Sequence, residues 1–287
     1  MKYAFVHQHC KEFPIAMMCR LLQVSRSGCY ASHRREPSIR SREDVALRIR
    51  IEELHAKQWR APGVIKTWRL LQADGVNCSR NRVARIRRIA GIETRRMARF
   101  KKMRTNQKSE PPAEDLVKRE FAVKLPNRVW VGDMTQIATR KGPLHLAAFI
   151  DLCTRRVIGW ATATSQTARL AVTALQAGIE QQKPVGGLIC HTDQGSQFAS
   201  AMFRNHLQDN QICPSMSRRG NCHDNAVAES FFSNLKNEVT HHTVYEDQQS
   251  ALAAITAYID VYYNQQRLHQ TLGYRTPAEV EKMHRCT

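Results

Sequence analysis

The chain has 287 residues, of which 24% are charged and 42% hydrophobic, and its net charge is +19. That is enough chain for one sizeable core and a smaller domain. No stretch reaches the roughly 18–20 consecutive apolar residues of a membrane span, and Met1 to His7 lacks the apolar core of a signal peptide. The nine cysteines are odd in number and form no Cys-x-x-Cys pair, which fits reduced thiols in the cytoplasm. His7, His9, Cys10 and Cys19 match no standard zinc spacing. The charge is uneven: residues 1–120 hold 28 Lys/Arg against 12 Asp/Glu, and residues 121–287 hold 16 against 13. A basic N-terminal part joined to a nearly neutral part implies a polyanion-binding module attached to something else.

In chain order, Ile15 to Leu22 reads as a helix, Gln23-Val24-Ser25 as a turn, and Ser27 to Arg35 as a second basic helix, which is helix-turn-helix length. A second helical unit follows. Val45 to Ala56 and Val64 to Ala73 are helical, the latter ended by Asp74-Gly75. A third helix runs from an N-cap at Ser79 to a C′ glycine at Gly91. On that helix Val83, Ile86 and Ala90 share one face. Arg80, Arg82, Arg85, Arg87 and Arg88 cover much of the rest, so all five are candidate DNA contacts. The run Arg95 to Lys108 adds seven Lys/Arg in fourteen residues. Ser109-Glu110-Pro111-Pro112 then reads as the start of a linker.

Past Pro126 the pattern changes to strands: Arg128 to Ile137, Leu144 to Leu152 and Arg155 to Ala163. Ala168 to Gln182 is helical, Gly187 to Thr192 a strand, Ala199 to Asp209 a helix and Gln211 to Ser215 a strand. The loop Met216 to His223 leads to a helix from about Asn225 to Glu238. This order predicts a mixed α/β sheet. The expected regions are 1–108, helical and DNA-binding; 109–124, linker; 125–245, catalytic core; and 246–287, a C-terminal helical extension that closes the core.

Three acids stand at telling points. Asp133 lies within the first strand, Asp193 follows the fourth strand, and Glu229 sits in the first turns of the late helix. Breaking a phosphodiester needs an activated oxygen nucleophile and a stabilised leaving oxygen. Two divalent ions about 3.5–4 Å apart supply both. Mg²⁺ takes hard oxygen ligands and keeps several waters, so three carboxylates suffice. Lys236 is seven residues after Glu229, nearly two helical turns, and shares its face, where it can meet a DNA phosphate. Glu238 falls close to the opposite face and is not expected to be a ligand. Asp224 reads as a helix cap and Asp151 as a turn-stabilising acid. Arg218 and Arg219, in the loop that delivers Glu229, are candidate DNA contacts. His191 and His223 are more simply read as local hydrogen-bonding groups.

The words WVGDMTQI, AFIDLCTRRVIGWA, HTDQGSQFAS, SMSRRGNCHDNAVAESFFSNLKNE and YYNQQRLHQTLGYRTPAE resemble the second-reading-frame (OrfB) transposases of bacterial insertion sequences. Thirty-five residues separate Asp193 from Glu229. That spacing, with Lys236 following, resembles the retroviral-integrase superfamily and its ribonuclease-H-like core. One departure is Trp59-Arg60-Ala61-Pro62-Gly63, where such proteins commonly carry Tyr-Gly. The resemblance implies an integrase-type core behind a helix-turn-helix region. Its implied activity is DNA cleavage and strand transfer with two Mg²⁺ ions, for which Mn²⁺ can substitute. Implied partners are double-stranded DNA (terminal inverted repeats and target), a homo-oligomer on that DNA, and an upstream-frame (OrfA) protein or fusion; no membrane is involved. The expected location is the cytoplasm, on the nucleoid. A nuclease that cuts without joining, and a non-enzymatic DNA-binding regulator of the element, are the alternatives.

Overall fold

A computed structural model describes residues 2–34, 36, 38–94, 113–117, 123–217 and 225–285. Packing divides the chain into Met1–Glu52 and Glu53–Thr287. The first unit holds α1 (Lys2–Gln8), α2 (Ile15–Leu21) and α3 (Arg26–Arg34), and α4 (Ile39–Lys57) begins in it and ends in the second. Val6, Met18, Cys19 and Cys29 form the small core of the three short helices.

In the second unit α5 (Val64–Ala73) and α6 (Arg80–Ile89) precede the sheet. Ser79 starts α6 as expected, its hydroxyl accepting the N–H of Arg82 at 3.2 Å. The stretch before α5 that departs from the family pattern has a packing role: the Trp59 ring meets the rings of Tyr258 and Tyr262, with centroids 6.2 and 6.4 Å away. Arg69 also lies over the Tyr274 ring at 5.7 Å. These contacts join the second helical segment to the C-terminal residues. Within the expected linker, 109–124, the backbone N–H of Leu116 donates to Ser215, Met216 N–H donates to the Glu114 carbonyl, and Val117 is buried. The basic run 95–108 and the prolines 111 and 112 lie outside the described residues.

The sheet is mixed, with strand order β3-β2-β1-β4-β5. Its strands are β1 (Val129–Ile137), β2 (Leu144–Asp151), β3 (Val157–Ala163), β4 (Ile189–Thr192) and β5 (Cys213–Met216). β1, β2 and β3 pair antiparallel as a meander, while β4 and β5 run parallel to β1. The parallel pairs need crossovers, supplied by α7 (Ala168–Gln182) and α8 (Ala201–Asp209). Every residue of β2 is buried, as a central strand covered on both faces must be.

Two apolar layers cover the faces. Trp130, Met134, Phe149, Leu170, Leu175, Phe203 and Leu207 pack on the α7–α8 side. Val131, Ile137, Leu146, Phe231, Leu235 and Ile255 pack on the side of α9 (Ala226–Glu238) and α10 (Gln248–Thr256). Each fully buried side chain of this size contributes roughly 1.5–3 kcal/mol. α7 sits tight on β3 because two glycines meet: a Cβ at Gly159 would come within 2.4 Å of the Ala174 carbonyl oxygen and 2.5 Å of the Gly178 nitrogen.

α10 continues as a π-helical segment, Ala257–Tyr263, and α11 (Pro277–Arg285) ends the fold. The N–H of Glu279 donates to the Thr276 hydroxyl, and the Thr276 N–H donates to the Glu279 carboxylate, a reciprocal cap at the start of α11. Among the described residues no helix is long and apolar enough to cross a membrane.

Candidate active site and nucleic-acid interface

Side chains alternate along β1, so Asp133 shares the face of Val131 and Ile137, the face that α9 covers. Asp133 is 6% exposed, and its carboxylate accepts the N–H of Met134 at 2.7 Å. β1 and β4 pair in parallel with Val131 opposite His191. Asp193 directly follows the last residue of β4. Asp193 is half-buried in a tight turn, where its carboxylate accepts the Gly195 N–H at 3.0 Å. A Cβ on Gly195 would stand 2.9 Å from that oxygen and 3.1 Å from Gln197 Oε1, so glycine keeps the space beside the acid open.

Glu229 is half-buried in the first turn of α9, and Lys236 is half-buried in its last turn. Ala228, Phe231, Phe232 and Leu235 fix the rotation of that helix by sinking into the core. The start of α9 is held differently. Asn225 occupies the N-cap position yet makes no side-chain cap bond. Its amide nitrogen instead donates to the Gly132 carbonyl on β1 at 3.0 Å, tying α9 to the residue before Asp133. The amide oxygen of Asn225 is buried without a partner. Leaving such an acceptor unmet costs about 1–3 kcal/mol. Sequence reasoning did not single out Asn225; the available signal was a cap-type residue one helical turn before Glu229.

The fold thus runs the strand of Asp133 parallel to the strand that ends just before Asp193, and ties the start of the helix that carries Glu229 to the residue before Asp133. Among the described residues no three Asp, Glu, His or Cys side chains form a group able to hold a metal ion. Arg218, Arg219, His223 and Asp224 lie outside the described residues. His191 is fully buried, with Nδ1 2.9 Å from the Ser215 hydroxyl, a local role. Asp151 is the turn acid expected: its carboxylate accepts the N–H groups of Asn127 and Thr154 and the Thr154 hydroxyl.

Glu238 is taken up by side chains of the C-terminal segment. It is buried, accepts two-pronged hydrogen bonds from Arg267 at 2.8 and 3.1 Å, and accepts the Tyr258 hydroxyl at 2.8 Å. Burial alone would lower the pKa of Arg267, but Glu238 outweighs it and holds the guanidinium above its ordinary value. Nearby, burial and then Arg267 push Lys66 down to about 8. Burial and then Arg267, Lys66 and Arg155 push His269 down to about 2.

On α6, Arg80 and Arg88 are exposed, and Arg82 and Arg85 are half-buried. Arg87 corrects the sequence reading. It is 4% exposed, its guanidinium donates to the Thr67 hydroxyl at 2.9 Å and to the Thr94 hydroxyl at 3.5 Å, and it is not available to a phosphate. Its position explains this, since residue 87 is one turn from Val83 and adjacent to Ile86 on the face packed against α5.

These features define a class: an integrase-type core on a ribonuclease-H-like sheet, preceded by a helical DNA-binding region. Residues 124–222 and 210–277 match integrase core domain families, and residues 41–100 match the HTH-like domain. The insertion element IS600 uncharacterized 31 kDa protein of Shigella sonnei is 35% identical over 93% of this chain and 98% of that protein. The transposase InsF for insertion sequence IS3A of Escherichia coli (strain K12) is 34% identical over 98% of each chain. The HTLV-2 integrase catalytic core domain in complex with magnesium (trimeric form) is 19% identical, covering 54% of this chain and 97% of that one at a TM-score of 0.43. The chain belongs to the InsF family of insertion-sequence transposases, enzymes that act on DNA.

Proposed function

We propose that this transposase cleaves DNA at the ends of an insertion element and joins the freed 3′ ends to a target, with Asp133, Asp193 and Glu229 as its catalytic carboxylates. The observation that supports the assignment is the parallel pairing of β1, which carries Asp133, with β4, which ends just before Asp193, together with Glu229 on α9, the helix packed on the Val131 and Ile137 face of β1. The donor chemistry, three carboxylates, is of the kind a hard divalent cation takes. Two Mg²⁺ ions, replaceable by Mn²⁺, would activate the attacking oxygen and stabilise the leaving one.

In this reading Asp133, Asp193 and Glu229 would together hold the ions. Lys236 holds the neighbouring phosphate, and Arg218 and Arg219 grip the strand beside it. Cleavage leaves a free 3′-hydroxyl. In the joining step the oxygen of that hydroxyl bonds to a target phosphorus, the target's own P–O3′ bond breaks, and the departing oxygen takes up a proton. No covalent bond to the protein forms. Region 1–108 supplies the grip on the terminal inverted repeats, through Arg80, Arg82, Arg85 and Arg88 of α6. The linker 109–124 leads to the core 125–245, which the extension 246–287 closes. The protein works in the cytoplasm on the nucleoid, as a homo-oligomer on DNA, and draws on an upstream-frame partner.

The test is incubation of the full chain with labelled duplexes carrying the element's inverted repeats. Mg²⁺-dependent nicks at the element ends together with joined products are expected, both lost on adding EDTA. Cleavage with no joined product in any target context would favour a nuclease, and neither product would favour a regulator.

A further inference from the structure

We propose that residues 113–117 act as a positioning strap for the reaction: they fasten β5, and β5 holds the turn that carries Asp193; this rests on the carboxylate reading above. A tether that only joins two regions needs no fixed contacts, and ordering each of its residues costs about 1–2 kcal/mol. This stretch is nevertheless fastened to the core. Ala113 packs against the apolar layer on the α7–α8 side, and Val117 is buried in the layer on the α9 side. In a few residues the chain thus passes from one face of the sheet to the other, beside β5, the last strand in the sheet order. The Glu114 carbonyl accepts the Met216 N–H at 3.4 Å, and the Leu116 N–H donates to the Ser215 hydroxyl at 3.0 Å. The Asp115 carboxylate lies 4.0 Å from His191 Nδ1 on β4.

β5 passes the constraint on. Ser215 is buried, and its hydroxyl also lies 2.9 Å from His191 Nδ1, so one side chain meets both the strap and β4. Two residues on, Ser217 bonds both neighbours of Asp193. Its N–H donates to the Thr192 carbonyl at 2.9 Å, and its carbonyl accepts the Gln194 side-chain amide at 3.1 Å. The path is therefore continuous: Leu116, Ser215, Ser217, and then the two residues that flank the acid. Close placement matters there, because a shift of about 1 Å caused by a remote change can cost about a hundredfold in rate.

The experiment is the rate at which the full chain joins labelled terminal-repeat DNA, measured across DNA concentrations, with thermal unfolding recorded alongside. Leu116→Pro removes the N–H of the strap, and Ser215→Ala removes its acceptor. Each is expected to lower the joining rate at saturating DNA by about tenfold or more, with half-saturation within about twofold of the parent. The double variant is expected to match the worse single variant, because both changes cut one bond. Leu116→Ala keeps the N–H and is expected to join faster than Leu116→Pro. Rates within about twofold of the parent in the folded single variants would overturn the proposal, as would a loss that saturating DNA restores or losses that multiply in the double variant. Should Ser215→Ala fail to fold, Leu116→Pro, at an exposed side chain, decides alone. Asp193→Asn separates the two levels. If it abolishes joining while the strap variants join like the parent, only the strap falls. If Asp193→Asn has no effect, the carboxylate reading itself fails.

Discussion

Asp193→Asn is expected to reduce joined DNA product by at least about a thousandfold, equivalent to roughly 4 kcal/mol of lost transition-state stabilisation, without lowering the melting temperature. The change removes a negative charge and keeps the shape. An asparagine oxygen can still accept the Gly195 N–H that now bonds the carboxylate at 3.0 Å. The same reasoning applies to Asp133→Asn, where the Met134 N–H at 2.7 Å keeps its acceptor. At that position the variant also removes a charge from a site only 6% exposed, so equal or greater thermal stability is expected. Glu229→Gln, half-buried on α9, belongs with them. Activity lost together with the fold would assign these acids to structure; unchanged joining by any one variant would remove that residue from the chemistry.

Arg267→Met is expected to act in the opposite way, on stability before chemistry. Glu238 is 7% exposed, and its charge is met by two guanidinium nitrogens and the Tyr258 hydroxyl. Removing the arginine strands a buried carboxylate, a loss of about 3–5 kcal/mol. In a packed unit of this size that corresponds to a fall in melting temperature of roughly 6–20 °C. The double variant Arg267→Met with Glu238→Leu should recover much of the loss, because it removes both charges. Arg267→Lys should not, since one ammonium cannot reproduce the two-pronged contact. Thermal unfolding of the four proteins gives the comparison, and a single-variant loss below about 1 kcal/mol would show that the pair is not the anchor described here.

Much of the core was legible because its signals are local. Helix α7 begins and ends where it was expected, at Ala168 and Gln182, and β1 and β2 fall within a residue of their expected ends. Asp133 and Asp193 could be picked out because a strand and a strand end are places where sheet geometry gathers side chains.

What escaped depends on tertiary partners. α1 was not foreseen, and α4 starts at Ile39, before the expected Val45, because Ile39, Val45 and Ile49 are exposed and give no apolar stripe to read. Arg87 looked like one more basic surface residue, although the seam of Val83, Ile86 and Ala90 runs past it; its pairing with Thr67 appears only once α5 is packed against α6. The roles of Asn264 and Arg267 appear only in the folded chain. Asn264 bonds both the N–H and the carbonyl of Val157 at 3.0 Å, standing in for a missing strand neighbour on β3. Asn225 was hidden for the same reason, since its bond to Gly132 spans 93 positions of chain.

Crystals of the full chain on its terminal-repeat DNA, soaked in Mn²⁺ and measured at the manganese absorption edge, ask the decisive question. Anomalous peaks should lie within about 2.0–2.3 Å of carboxylate oxygens from Asp133, Asp193 and Glu229 together, as close ligation of a small divalent ion requires. Peaks bound to other residues, with these three carboxylates left unliganded at saturating Mn²⁺, would contradict the assignment of the active site.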